Sequence, residues 1–306
     1  MINTISEELA SIIREMRQST SQVPPLTDGM DTPVGSVQNI EIKTEIRTTP
    51  VRIYSPAVAE KTPAVFYLHG GAFCLSSYQD DEPMARCLVH DSGCTVFSID
   101  YGLAPEYPFP SAIEEVYQVI MQVIADAEHY GIDPERLAVG GNSAGANIAM
   151  ALCILAEERK AFSFMALSVI YPPLDFTIPH KEKLTGKAAG SMLKPELLDL
   201  CIRDAYLQGD VSKYPHRLLS TGLIPDVSLF PPVTLISAEN CPFTPEHFIF
   251  TQRLFAAGVE FMHKVYPGVE HGFMDMGIAE TLQQDCKRLV SAQISSAFSR
   301  KNNKNN

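Results

Sequence analysis

The chain has 306 residues, 45% of them apolar and 20% charged, with 24 basic against 36 acidic side chains and a formal charge of −12. That content supports a sizeable core and excludes a disordered or low-complexity chain, while the acidic balance argues against nucleic acid or an anionic membrane surface as partner. No apolar run reaches the ~20 residues that span a bilayer.

Met1 to Glu8 is acidic and mixed, without the basic end and apolar stretch of a signal peptide. Seven cysteines form no Cys-x-x-Cys pair, so the expectation is a reduced, cytoplasmic protein. Ile5, Leu9, Ile12, Ile13 and Met16 predict a short amphipathic helix, and the polar, proline-bearing stretch 17–35 predicts an irregular connection. Alternation at Ile40 and Ile42, and again from Glu45 to Ile53, predicts a hairpin.

Short continuous apolar runs follow at 64–68, 95–99, 137–139, 165–170 and 233–236, as in strands buried on both faces. Between them, Ile113, Val116, Ile120, Val123, Ile124 and Ala127 repeat at helical spacing, with Gly131 as the stop. Ile278, Leu282, Leu289, Val290 and Ile294 predict a final helix. Strands alternating with helices imply an α/β fold with a mainly parallel sheet. The stretch from Lys181 to Pro225 breaks the alternation and reads as an irregular helical insertion over the sheet's carboxyl edge.

Three stretches carry chemistry. Gly141-Asn142-Ser143-Ala144-Gly145 lies where a buried strand turns into a helix. A serine there sits in a strained turn that lifts its hydroxyl, and its neighbours must lack Cβ atoms to avoid collision. The helix that follows aims N–H groups at developing negative charge. Asparagine at 142 removes the glycine that a dinucleotide fingerprint needs. His69-Gly70-Gly71-Ala72 ends another buried strand; paired glycines let two N–H donors approach an oxyanion, and His69 reads as a loop organiser. His271, in Glu270-His271-Gly272-Phe273, follows the serine in the chain order of an α/β-hydrolase and is the candidate base.

With Asp100-Tyr101-Gly102-Leu103-Ala104-Pro105-Glu106-Tyr107-Pro108-Phe109-Pro110, these motifs resemble the hormone-sensitive-lipase-like group of α/β-hydrolases, which includes the bacterial acetyl esterases. The resemblance covers about residues 63–297, although Gly102 stands where that group has arginine. It implies an α/β-hydrolase core over 40–300, a small helical cap from 1–39 and about 177–219, and a disordered tail at 301–306. It also implies a carboxylesterase with Ser143 as nucleophile, His271 as base, and an oxyanion hole from the Gly70, Gly71 and Ala144 amides. The substrate would be a small short-acyl ester, with no metal or organic cofactor; a homodimer is compatible with this reading.

One position departs. The group's acidic Asp-Pro-Leu-x-Asp-Glu segment appears here as Cys241-Pro242-Phe243-Thr244-Pro245-Glu246, with cysteine in the place of the triad aspartate. Losing that carboxylate can cost about 10⁴ in kcat. Glu246, Glu239 and Asp175 are the available replacements; Glu246 is favoured, and a His271 without any carboxylate is the remaining outcome. The missing acid also leaves open a rival reading, a binding protein on a decayed hydrolase scaffold.

Overall fold

The computed structural model describes residues 7–21, 29–58, 60–275 and 279–300. Its centre is an eight-stranded sheet of β1 (Ser36–Lys43), β2 (Thr48–Ser55), β3 (Thr62–Leu68), β4 (Thr95–Ile99), β5 (Ile132–Asn142), β6 (Ala166–Ile170), β7 (Val233–Ala238) and β8 (Phe261–Tyr266), in spatial order β1-β2-β4-β3-β5-β6-β7-β8. β1 pairs antiparallel with β2, and β2 antiparallel with β4; every later pairing is parallel. Every residue of β3, β4, β6 and β7 is buried, as the continuous apolar runs require of strands covered on both faces.

The helices are α1 (Glu7–Ser21), α2 (Glu82–Ser92), α3 (Ser111–Ala125), α4 (Ser143–Arg159), α5 (Pro195–Leu198), α6 (Thr244–Ala256) and α7 (Glu280–Ser299). α4 is buried on every side from Ala144 to Ala156, so it has no polar stripe and serves as the axis of the core. In α1, Ile13 is fully buried and Leu9 half-buried, but Ile12 faces solvent. Adjacent helical positions stand about 100° apart, so with Ile13 at the centre of the buried stripe Ile12 falls at its solvent-facing margin. Ile5, Ile278 and the expected tail lie outside the described residues.

The hairpin turns later than the alternation from Glu45 predicts. The Thr44 hydroxyl accepts the Ile46 and Arg47 amides, which makes 44–47 the turn and starts β2 at Thr48. Arg47 then reaches buried Glu115 at 2.7 Å, and the Gly102 amide donates to the same carboxylate at 2.8 Å. A Cβ at Gly102 would lie 2.6 Å from the Tyr107 ring, so this packing admits no side chain there and Arg47 supplies the cation.

Parallel strands end on one edge, and there the loops after β3, β5, β7 and β8 meet. Residues 171–232, between β6 and β7, cross that edge as short helical turns, with α5 running into a π-helical stretch Asp199–Tyr206. Asn147 of α4 holds this segment by donating to the Pro173 and Leu219 carbonyls at 2.9 and 2.7 Å. α1 reaches the same edge from the other end of the chain, its Arg17 donating to the Cys74 and Ala104 carbonyls on the loops after β3 and β4 and pairing with Glu106.

Candidate active site

The turn from β5 into α4 carries Ser143 at φ +49°, a left-handed conformation that a non-glycine residue adopts only when its surroundings impose it. The surroundings here are the neighbouring backbone. A Cβ on Gly141 would lie 2.4 Å from the Leu68 carbonyl oxygen, and one on Gly145 would lie 2.1 Å from the same atom. With glycine at both places the turn packs directly on the end of β3, and the Ser143 hydroxyl stands clear of it.

His271 meets that hydroxyl from the loop after β8, with Nε2 2.8 Å from Ser143 Oγ. Its ring lies between Tyr171, 4.6 Å away by ring centroids, and Phe243, which meets it edge-on at 5.3 Å. Burial pushes the imidazole's ionisation down to about 3, so the ring is neutral at neutral pH and its free lone pair can accept a proton.

On the far side of the ring, the Cys241 Sγ lies 3.2 Å from Nδ1. The Cys241 loop is fixed to the histidine loop by the Asn240 amide, which donates to the Val269 carbonyl at 3.0 Å. Phe243 donates its amide to the same sulfur at 3.4 Å. Burial pushes the thiol's ionisation up to about 12, leaving a neutral group on a neutral ring.

The favoured acid, Glu246, is engaged elsewhere. It sits one turn into α6, and its carboxylate turns toward the insertion, where it accepts the Leu174 and Asp175 amides at 2.8 and 2.9 Å and pairs with buried Lys183. Glu239 pairs with Lys187 at the surface and accepts the Gly268 amide. Asp175 closes a local turn by accepting the Thr177 amide and hydroxyl. None of the three contacts His271; among the described residues, the Cys241 thiol is the hydrogen-bonding neighbour of Nδ1.

Beside the serine runs the glycine loop after β3. Gly71 has φ +104°, and a Cβ there would lie 2.1 Å from the Leu75 carbonyl oxygen. Gly70 comes close enough that a Cβ would stand 3.3 Å from the Ser143 Cβ. The Gly70 and Gly71 amides donate to no group among the described residues, and the Ala144 amide, in the first turn of α4, has no intrahelical acceptor. His69 organises the loop: Nδ1 lies 2.8 Å from the Gly70 carbonyl, and its ring stacks on Tyr101 at 4.2 Å.

Three nearby residues escaped the sequence reading. Lys183 gives no local signal, because its partner is 63 residues away. Tyr171, which follows β6, packs on His271. Asp275 follows the histidine by four positions, a spacing that could have been noticed, and reaches Asn142. Among the described residues no three His, Cys, Asp or Glu side chains could hold a metal, and no helix is long and apolar enough to cross a membrane.

A family profile described as the α/β hydrolase fold matches residues 65–275. An arylesterase of Saccharolobus solfataricus is 30% identical over 85% of this chain and 84% of its own length. An acetyl esterase of Salmonella choleraesuis is 29% identical over 86% of this chain and 82% of its own. Among solved structures, an esterase of Pyrobaculum calidifontis superposes with a TM-score of 0.84 at 28% identity, covering 94% of this chain and 93% of that one.

Proposed function

The chain belongs to the hormone-sensitive-lipase-like group of the α/β-hydrolase family and is a carboxylic-ester hydrolase, and we propose that it acts on small short-acyl esters through an acyl-Ser143 intermediate. The observation that carries this reading is the 2.8 Å contact between Ser143 Oγ and His271 Nε2 at a strained strand-to-helix turn. His271 takes the hydroxyl proton as Oγ attacks the ester carbonyl, and the tetrahedral oxyanion settles on the Gly70, Gly71 and Ala144 amides. Collapse expels the alcohol, which receives the proton from His271. Water, deprotonated by the same ring, then releases the acid and restores the serine. Cys241 holds the ring in place without supplying the charge that a carboxylate would.

The acyl-length preference is supported by the wall beside the oxyanion loop. Phe73 stacks on Tyr206 at 4.2 Å and lies 6.4 Å from Phe176, and all three are buried. α1 and the insertion 171–232 form the cap over the carboxyl edge. A second copy docks at the free edge of β8, beside which α6 exposes Phe255 (78%), Ile249 (60%) and Phe248 (52%). Seven free thiols suit the reducing cytoplasm, which fractionation of the producing cell tests.

Ser143→Ala tests the core of this reading. Its kcat on a chromogenic acetate should fall by about 10³-fold or more, while the parent cleaves acetate faster than palmitate. An alanine variant that keeps most of its rate removes Ser143 from the mechanism.

A further inference from the structure

Beside the nucleophile turn lies a small polar recess. Its walls are Tyr67 of β3, Asp80, Asp81 and Met84 from the entry to α2, Asn142, Met274 and Asp275 from the histidine loop, and Gln283 and Lys287 of α7. The cavity measures about 20 Å³, too small for any part of a substrate. Two buried polar atoms there, Asp81 Oδ2 and Asn142 Oδ1, have no hydrogen-bond partner.

Asp275 is the member that touches the catalytic elements. One carboxyl oxygen lies 3.5 Å from Asn142 Nδ2, next to the nucleophile, and the other 3.5 Å from the hydroxyl of Tyr171, whose ring packs on His271. The residue also closes the short helical turn Phe273–Asp275 that begins two positions after His271. The carboxyl thus bridges the two loops whose separation sets the Ser143–His271 contact.

We propose that Asp275 is a positioning residue that supplies, through the Asn142–Tyr171 bridge, the negative charge that position 241 does not give to His271. The inference rests on Ser143 and His271 acting as nucleophile and base. Glu246 is neutralised by Lys183, and Glu270 accepts the Met192 amide at 2.7 Å. The charged or titratable groups facing Asp275 are Asp80, Asp81, Tyr67, Tyr171 and Lys287.

The outer edge of Asp275 stays open to solvent, but the recess removes water from its inner side and Asp80 lies near. Its ionisation is accordingly pushed up to about 7. Asp81 is raised too, by burial first and then by Asp275 and Asp80, and so stays the more protonated of the pair as Asp275 ionises. The sign follows: as pH rises through 7 Asp275 gains negative charge, and negative charge relayed through Tyr171, whose ring packs on His271, favours the imidazolium. Turnover should rise with pH across a range in which His271, pushed down to about 3, no longer titrates.

The test is kcat on an acetate ester from pH 5.5 to 8.5, corrected for spontaneous hydrolysis. The parent should rise about five- to tenfold with a midpoint near 7, the equivalent of up to about one pKa unit of support for the imidazolium. Asp275→Asn should be flat within about twofold at the parent's low-pH rate with KM unchanged, and Asp275→Glu should restore the rise. Asn142→Asp, which sets a second acid beside the first, should move the midpoint upward; this variant decides the matter if Asp275→Asn does not fold. A flat parent profile, a rise that persists in Asp275→Asn, or a rise abolished by Asp81→Asn alone overturns the proposal. Loss of activity in Ser143→Ala alongside any of those results leaves the nucleophile assignment standing.

Discussion

Replacing Cys241 by aspartate should accelerate the enzyme. The Sγ position, 3.2 Å from His271 Nδ1 and 3.4 Å from the Phe243 amide, is where a carboxyl carbon would sit with one oxygen aimed at each donor. Two N–H donors at a helix entrance favour the ionised acid, and Glu246, the carboxylate that acts on position 241, is already neutralised by Lys183. A triad carboxylate is worth about 10⁴ in kcat, or about 5 kcal/mol at 1.36 kcal/mol per tenfold. The site is almost fully buried, and desolvating the new charge consumes part of that gain. The expected net effect of Cys241→Asp is therefore about 10²- to 10³-fold in kcat on an acetate ester at pH 7. Cys241→Ala should stay within about threefold of the parent, since the thiol offers orientation without charge. The new carboxylate should also lift the His271 ionisation from about 3, so a pH limb attributable to the ring should appear nearer neutrality. A folded Cys241→Asp no faster than the parent, with no such limb, would refute the view that this site lacks a charge on Nδ1.

Two further outcomes separate structural from catalytic roles. Lys183→Met strands Glu246 as a buried charge, and breaking such a pair costs about 3–5 kcal/mol, so Tm in a thermal melt should fall by about 6–15 °C. Its kcat at 25 °C should stay within about threefold; a collapse in kcat with an unmoved Tm would return Glu246 to the role of triad acid. Phe255→Asp, in the exposed face of α6, should convert a dimer to a monomer in light scattering, and a species of unchanged mass would remove the β8 edge as an interface.

The two turns that place Ser143 and the Gly70–Gly71 amides at the candidate site were legible from the chain alone. A serine between glycines at a strand-to-helix junction, and paired glycines at the end of a buried strand, are demands of local sterics, and local sterics are written in consecutive residues. The α/β layering was legible for the same reason, because continuous apolar runs and helical periods are local patterns. The partner of His271 was not. Glu246, Glu239 and Asp175 all follow strands that end on the edge of the sheet where His271 lies, and only the folded insertion shows that the amides of Leu174 and Asp175, with Lys183, have drawn Glu246 away from the ring. The bridge from Asp275 to Asn142 spans 133 residues and joins two loops that meet only because β5 and β8 end on one edge of the sheet. Sequence determines which groups a loop carries; which of them face one another depends on how far each side chain must turn to satisfy its own buried polar atoms, and that is settled only once the whole chain is packed.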